Sequence, residues 1–184
     1  MEKKVFGYPK FDESGEMILT TYENEYRDML MDIRVYKLEK NQTKIFTSDD
    51  EEIAALLLNG KIEINVDGIE KIVSRKSVFL EGPYAGHVSH SKIISVKALE
   101  ETEILVQKTK NKVTFKSKLY TPEDAPWKYS SQGWYGNVAN RRVNTIIDHD
   151  IEPKSNMVLG EVLNDPGNWS GYLPHRHPQP ECYY

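Results

Sequence analysis

Near its end the chain reads Pro174-His-Arg-His-Pro-Gln-Pro-Glu-Cys-Tyr-Tyr184, the densest run of chemistry-bearing residues in the sequence. On an extended backbone side chains alternate with a period of two, so His175 and His177 project to the same side. Glu181 follows four residues later and can close a site from the same strand pair. Two imidazoles and a carboxylate, with positions left for water or substrate, are the ligand set of a catalytic divalent cation such as Zn²⁺, Mn²⁺, Fe²⁺ or Ni²⁺. The competing reading is a pair of solvated histidines in a proline-rich tail. Cys182 is the single cysteine, which removes any internal disulfide or two-cysteine zinc site and fits a reducing compartment. With no base near it in sequence, it is a poor nucleophile.

A scaffold has to aim those side chains. The 184 residues are 39% apolar and 28% charged, a globular composition for one domain or one plus part of a second. Twenty-four basic against 28 acidic residues leave a net charge of −4, with no basic excess for a phosphate backbone, so no nucleic-acid partner is expected. The longest wholly apolar run, Ile53 to Leu58, falls far short of the ~20 residues of a membrane helix. Met1-Glu-Lys-Lys leads into no signal-peptide core, so a cytoplasmic protein without a membrane partner is expected.

Residues 1–28 show no sustained period and read as an arm packing through Tyr8, Phe11, Tyr22 and Tyr26. From Met31 apolar residues alternate, as in a half-buried strand. Asp49 to Leu58 has helical composition, but it runs through Asn59-Gly60 into the alternating Lys61 to Val66, and Asp67-Gly68 follows. Both dipeptides are hairpin-turn signals, so three neighbouring strands are expected, one against its own helix preference. Further strands are expected at Ser77–Leu80, Lys92–Ala98, Glu103–Gln107 and Lys112–Phe115. Residues 116–136, with Pro122, Pro126 and Gly133, read as a linker. Arg142–Asp148 and Met157–Asn164 begin a second β unit at about residue 137. Many short strands with close turns specify an all-β antiparallel sandwich or barrel.

The pattern His-x-His-x3-Glu after a glycine resembles the first motif of the cupin β-barrel. More narrowly, Gly160-Glu-Val-Leu-Asn164, Pro166-Gly-Asn-Trp-Ser-Gly-Tyr172, the histidine segment and Tyr183-Tyr184 resemble the 5-deoxy-glucuronate isomerases, bicupins of myo-inositol catabolism. Asn140-Arg-Arg-Val-Asn144 is similar to a stretch of the related 4-deoxy-5-ketouronate isomerases. The resemblance implies an all-β cupin fold: a first barrel over 29–115 without a metal site, and a second, metal-binding barrel begun at 137–184 and incomplete at Tyr184. It implies His175, His177 and Glu181 as ligands of a divalent metal ion, with a fourth ligand beyond the chain. In the first barrel Glu52 and His87 stand where the two motifs would place an acid and a histidine, while Ile45 to Ser48 lack the His-x-His.

The implied reaction is the aldose–ketose isomerisation of 5-deoxy-D-glucuronate to 5-dehydro-2-deoxy-D-gluconate, its enediolate stabilised by the metal. No catalytic base is identifiable. Arg142 and Arg141 are candidates for the substrate carboxylate, since a guanidinium binds carboxylates through a fork; the competing role is a structural ion pair. Trp169 and Tyr172 could wall the pocket or simply pack. His87 and His90 read as surface or hydrogen-bonded residues, and His149 as a solvated loop residue. A non-catalytic sugar-acid-binding cupin and an inactive remnant serving as a dimerisation module are the alternative functions. Exposed barrel edges favour a homo-oligomer.

Overall fold

The computed structural model describes residues 7–171, 175 and 177–184. Twelve strands form among them: β1 (Glu16–Thr20), β2 (Met31–Leu38), β3 (Thr43–Thr47), β4 (Glu51–Val66), β5 (Ile69–Arg75), β6 (Ala85–Val88), β7 (Ile93–Ala98), β8 (Thr102–Lys110), β9 (Lys118–Tyr120), β10 (Lys128–Ser130), β11 (Arg141–Ile147) and β12 (Leu159–Asn164). Every pairing is antiparallel, so the all-β expectation holds.

The 16-residue β4 is the spine. Its first half lies between β8 and β6, in a layer that continues to β2, β1 and β9; its second half lies between β5 and β7, with β3 beyond. The layers enclose one core, which takes Ile53, Ala55 and Leu57 from the first half and Ile62, Ile64 and Val66 from the second. Inward positions change from odd to even because the β4–β8 register slips between Leu57 and Asn59. A bulge that inserts one residue swaps the faces of all that follow, and here it keeps both halves facing inward as the strand changes layers.

Asn59-Gly60 is therefore a bend inside one continuous strand, not the hairpin turn its composition suggests. Gly60 has φ 105°, and a Cβ there would lie 2.7 Å from Glu101 O and from Thr102 Cα. Asp67-Gly68 does form its hairpin: Val66 pairs with Ile69, and both turn residues have positive φ, 51° and 93°, the geometry of a type I′ turn. Asp49 to Leu58 is strand despite its helical composition. Glu51 to Leu57 are buried on both faces, so tertiary packing overrides local propensity.

The even residues of that run, Ala54 and Leu56, face outward into a second core with Ile33, Val35 and Leu105 on one side and Ile146, Ile147, Met157 and Leu159 on the other. The β10-β11-β12 sheet thus packs through its apolar face on the outside of the first layer. A register slip between Thr145 and Ile147 lets two consecutive isoleucines turn inward.

Other expectations need correction. Residues 16–20 of the arm form β1 on β2, and Tyr8 is 90% exposed instead of packed. Ser77–Leu80 is a turn, with the Leu80 and Glu81 amides donating to Ser77 O and Phe79 and Leu80 exposed. Lys112–Phe115 is irregular, because the ladder ends at Lys110 and Asn111 diverts its side chain to Lys154 O. Residues 116–136 carry β9, paired with β6, and β10, paired with β11.

Candidate functional site

The histidine segment lies on the surface. His175 Nε2 and His177 Nε2 are 2.9 Å apart, with ring centroids 4.6 Å apart and nearly perpendicular planes. His177 Nε2 lies 3.5 Å from Glu181 Oε1. Gln179 donates to the same oxygen at 3.4 Å, and Tyr183 OH donates to Oε2 at 3.2 Å. Partial desolvation, then the Glu181 charge, raises the Tyr183 phenol, which keeps it a donor. Tyr184 OH donates to Glu103 Oε1 on β8 at 3.3 Å, and Glu103 Oε2 accepts from Asn59 at the β4 bend. The segment is tied in this way to the strand that changes layers.

The spacing places the three side chains in one chain of contacts. The two imidazole nitrogens sit near the separation of adjacent ligands on an octahedral cation, about 3 Å for bonds of ~2.1 Å, and closer than the ~3.4 Å of a tetrahedral one. The carboxylate meets only His177, and among the described residues no group of three or more His, Cys, Asp or Glu is arranged to hold a metal ion. Two of the three donors fit such an ion as they stand; Glu181 needs to shift.

Glu181 and Tyr183 border a broad trough of about 1570 Å³ between the outer face of the first layer and β12, whose floor includes Ile33, Leu56 and Leu105 and whose wall includes Asn144 and Glu161. Arg75 also borders it but is committed elsewhere. Its fully buried guanidinium makes a two-pronged contact with Glu161, at 2.7 and 2.8 Å, and donates to Leu57 O and Glu81 O. Asn144 completes the arrangement, donating to Glu161 Oε2 and accepting from the Glu161 amide. Arg75 satisfies its fork inside the protein. Sequence reasoning missed this pair, since β5 and β12 are 86 residues apart and neither residue breaks a local pattern.

Glu52 and His87, which the family resemblance places at motif positions, meet at 3.1 Å and are almost fully buried. They face away from the enclosed core. Glu52 accepts from the Asn156 amide at 2.6 Å and the Ser155 hydroxyl at 2.9 Å, and His87 packs on Phe115. The pair clamps the segment leading into β12. His90 contacts Ser91 and Thr114, and His149 is exposed. Of the two arginines, Arg142 lies over the Trp127 ring, 5.9 Å from its centroid, and Arg141 donates to Ser131 Oγ and Ala139 O. Trp169 is half-exposed and stacks with Tyr135; Tyr172 lies outside the described residues.

Among known proteins, 5-deoxy-glucuronate isomerases from Geobacillus kaustophilus and Geobacillus thermodenitrificans are each 30% identical over 174 residues, covering 91% of this chain and 60% of the relative. The chain therefore spans about 60% of the length of these curated relatives. An IolB-like protein of Salmonella typhimurium shares the fold with a TM-score of 0.63 at 17% identity, over 75% of this chain and 52% of that one. A putative glyoxylate-induced protein of Pseudomonas aeruginosa does so with a TM-score of 0.59 at 8% identity, over 86% and 60%. The KduI/IolB family model matches residues 7–184, which carry both the strand framework and the histidine segment, and the chain belongs to that family.

Proposed function

We propose that the chain is a sugar-acid isomerase that interconverts 5-deoxy-D-glucuronate and 5-dehydro-2-deoxy-D-gluconate, with His175, His177 and Glu181 holding a divalent cation. Family membership supports the isomerase class, and the 2.9 Å approach of two imidazole nitrogens is the observation that carries the site. When bound, the cation supplies Lewis acidity toward the substrate carbonyl and hydroxyl oxygens. The chain's own residues do the rest. His175 and His177 present their Nε2 atoms, Glu181 brings a carboxylate, and Tyr183 holds that carboxylate by a hydrogen bond. The trough beside Glu181 offers an apolar floor and amide and carboxylate walls against which a polar sugar acid can be oriented.

The test pairs metal analysis with turnover. Purified chain supplied with Mn²⁺ or Zn²⁺ is expected to bind about one ion and to form the keto sugar acid. His177→Ala should lose both by more than tenfold. Retention of the ion and of turnover in that variant, or turnover without a metal requirement, overturns the assignment. The separation of Glu181 from a common focus favours one second reading, a sugar-acid-binding cupin without catalysis. It predicts saturable binding and no product.

A further inference from the structure

Residues 177–184 carry Glu181, yet little packing seats them. Tyr183 is 84% exposed and Tyr184 64%, and residues 181–184 belong to no strand. Among the described residues, one hydrogen bond joins this segment to the strand framework: Tyr184 OH donates to Glu103 Oε1 at 3.3 Å. Gln179 and Tyr183 donate within the segment, to Glu181, and His177 meets His175.

The receiving carboxylate is fixed from behind. Glu103, Leu105, Gln107 and Thr109 alternate along β8 and all border the trough, so they share the outer face of that strand. The other three are neutral, and the fold itself does not call for a charge in this row. No cation pairs with Glu103 among the described residues; its second oxygen accepts from Asn59 Nδ2 at 3.2 Å. Asn59 lies at the register slip of β4, beside the Gly60 that is pressed against Glu101 and Thr102, and Thr102 Oγ1 in turn donates to Glu100 O at 3.0 Å. A carboxylate that meets two neutral donors makes charge-assisted hydrogen bonds, about twice as strong as neutral ones. One of them grips the bend and the other grips Tyr184. The adjacent Tyr183 reaches Glu181 Oε2, and Glu181 Oε1 lies 3.5 Å from His177 Nε2. Contacts therefore run unbroken from the β4 bend to the histidine pair.

We propose that Glu103 is a positioning residue for the histidine segment, acting through Tyr184 to hold residues 177–184 against the first layer and so keep Glu181 beside His177. Its effect on metal affinity rests on the proposed function; the tether itself does not.

The test uses the intact chain, with amide nitrogen relaxation at Glu181 to Tyr184 as one readout and Mn²⁺ calorimetry as the other. Wild type is expected to show order parameters near the ~0.85 of rigid backbone, and Tyr184→Phe and Glu103→Ala to drop them below ~0.6. Mn²⁺ affinity should fall about tenfold in both variants, because a carboxylate ligand loses the contacts that orient it. Tyr184→Phe should leave the Tm unchanged, which separates positioning from a general loss of stability. Glu103→Gln keeps a carbonyl oxygen for the Tyr184 hydroxyl and should restore both readouts. Combining Glu103→Ala with Tyr184→Phe should weaken Mn²⁺ binding no more than either change alone, since both remove the same contact. Unchanged order parameters in the two variants overturn the proposal, as does mobility gained with Mn²⁺ affinity intact. A lowered Tm with both readouts unaltered would make the bond a structural one and overturns it too. A wild-type chain that takes up neither Mn²⁺ nor Zn²⁺ counts against the metal site alone; the order parameters then decide whether Glu103 holds the segment.

Discussion

Arg75 shows how a single residue can join two sheets. Its guanidinium is fully buried, and it finds one carboxylate and two carbonyl oxygens without any solvent partner. Removing one member of a buried pair strands the other charge. Arg75→Met is therefore expected to cost about 3–5 kcal/mol in urea unfolding, with Glu161→Gln costing less because Asn144 still meets the amide. Asp67 acts at the surface, where Lys92 first and Ser117 second hold its carboxyl below the usual aspartate range. A depressed folded pKa contributes stability above the unfolded value, near 3.9, that is lost as pH falls through the folded value. Asp67→Asn keeps the left-handed turn, since asparagine tolerates that region. It should flatten the stability profile below about pH 4, with a total effect under ~1 kcal/mol because the pair is exposed. Spacing put His175 and His177 on one side of an extended strand, and the family resemblance put Glu52 and His87 at motif positions without showing that the two side chains meet. Neither revealed that Glu52 and His87 clamp Ser155 and Asn156, because hydrogen bonds to a segment more than 100 residues away leave no local trace.

At the scale of elements, the two Asx-Gly pairs of β4 and β5 are informative because they look alike in sequence and behave differently. Asp67-Gly68 turns the chain, with open space around Gly68, whereas Gly60 is pressed against Glu101 and Thr102. Gly60→Ala should thus cost more than the ~1 kcal/mol of backbone strain expected for Gly68→Ala, at about 2–3 kcal/mol, a ranking that denaturant titration of both variants checks. Alternation marked β2 and the second half of β4, the two Asx-Gly dipeptides pointed to the first half of β4 and to β5, and the short β-like segments at Lys92–Ala98 and Glu103–Gln107 fall on β7 and β8. The same reading failed at Ser77–Leu80 and Lys112–Phe115, where apolar residues were present but no neighbouring strand offered hydrogen bonds. It also missed β6, whose four residues are all buried and so carry no period.

Over the whole molecule, the boundary expected at 116–136 does not divide the packing. Ala54, Leu56 and Leu105 of the first layer share a core with Ile146, Met157 and Leu159 of the second sheet. One cooperative transition is the expected outcome of thermal unfolding. All three tryptophans, at 127, 134 and 169, lie in the second portion, so their fluorescence should change together with the far-ultraviolet signal of the entire strand set. Ile146→Ala is expected to lower both curves jointly, by about 2–4 kcal/mol. Two separated transitions would show that the sheets fold independently.

The shared core also limits how the gene can be trimmed. A fragment stopped at residue 115 would retain every strand from β1 to β8 but leave Ile33, Leu56 and Leu105 uncovered on its outer wall. Such a fragment should be sticky in solution even though its interior is intact, and expression work that needs a minimal unit has to carry residues through at least Asn164.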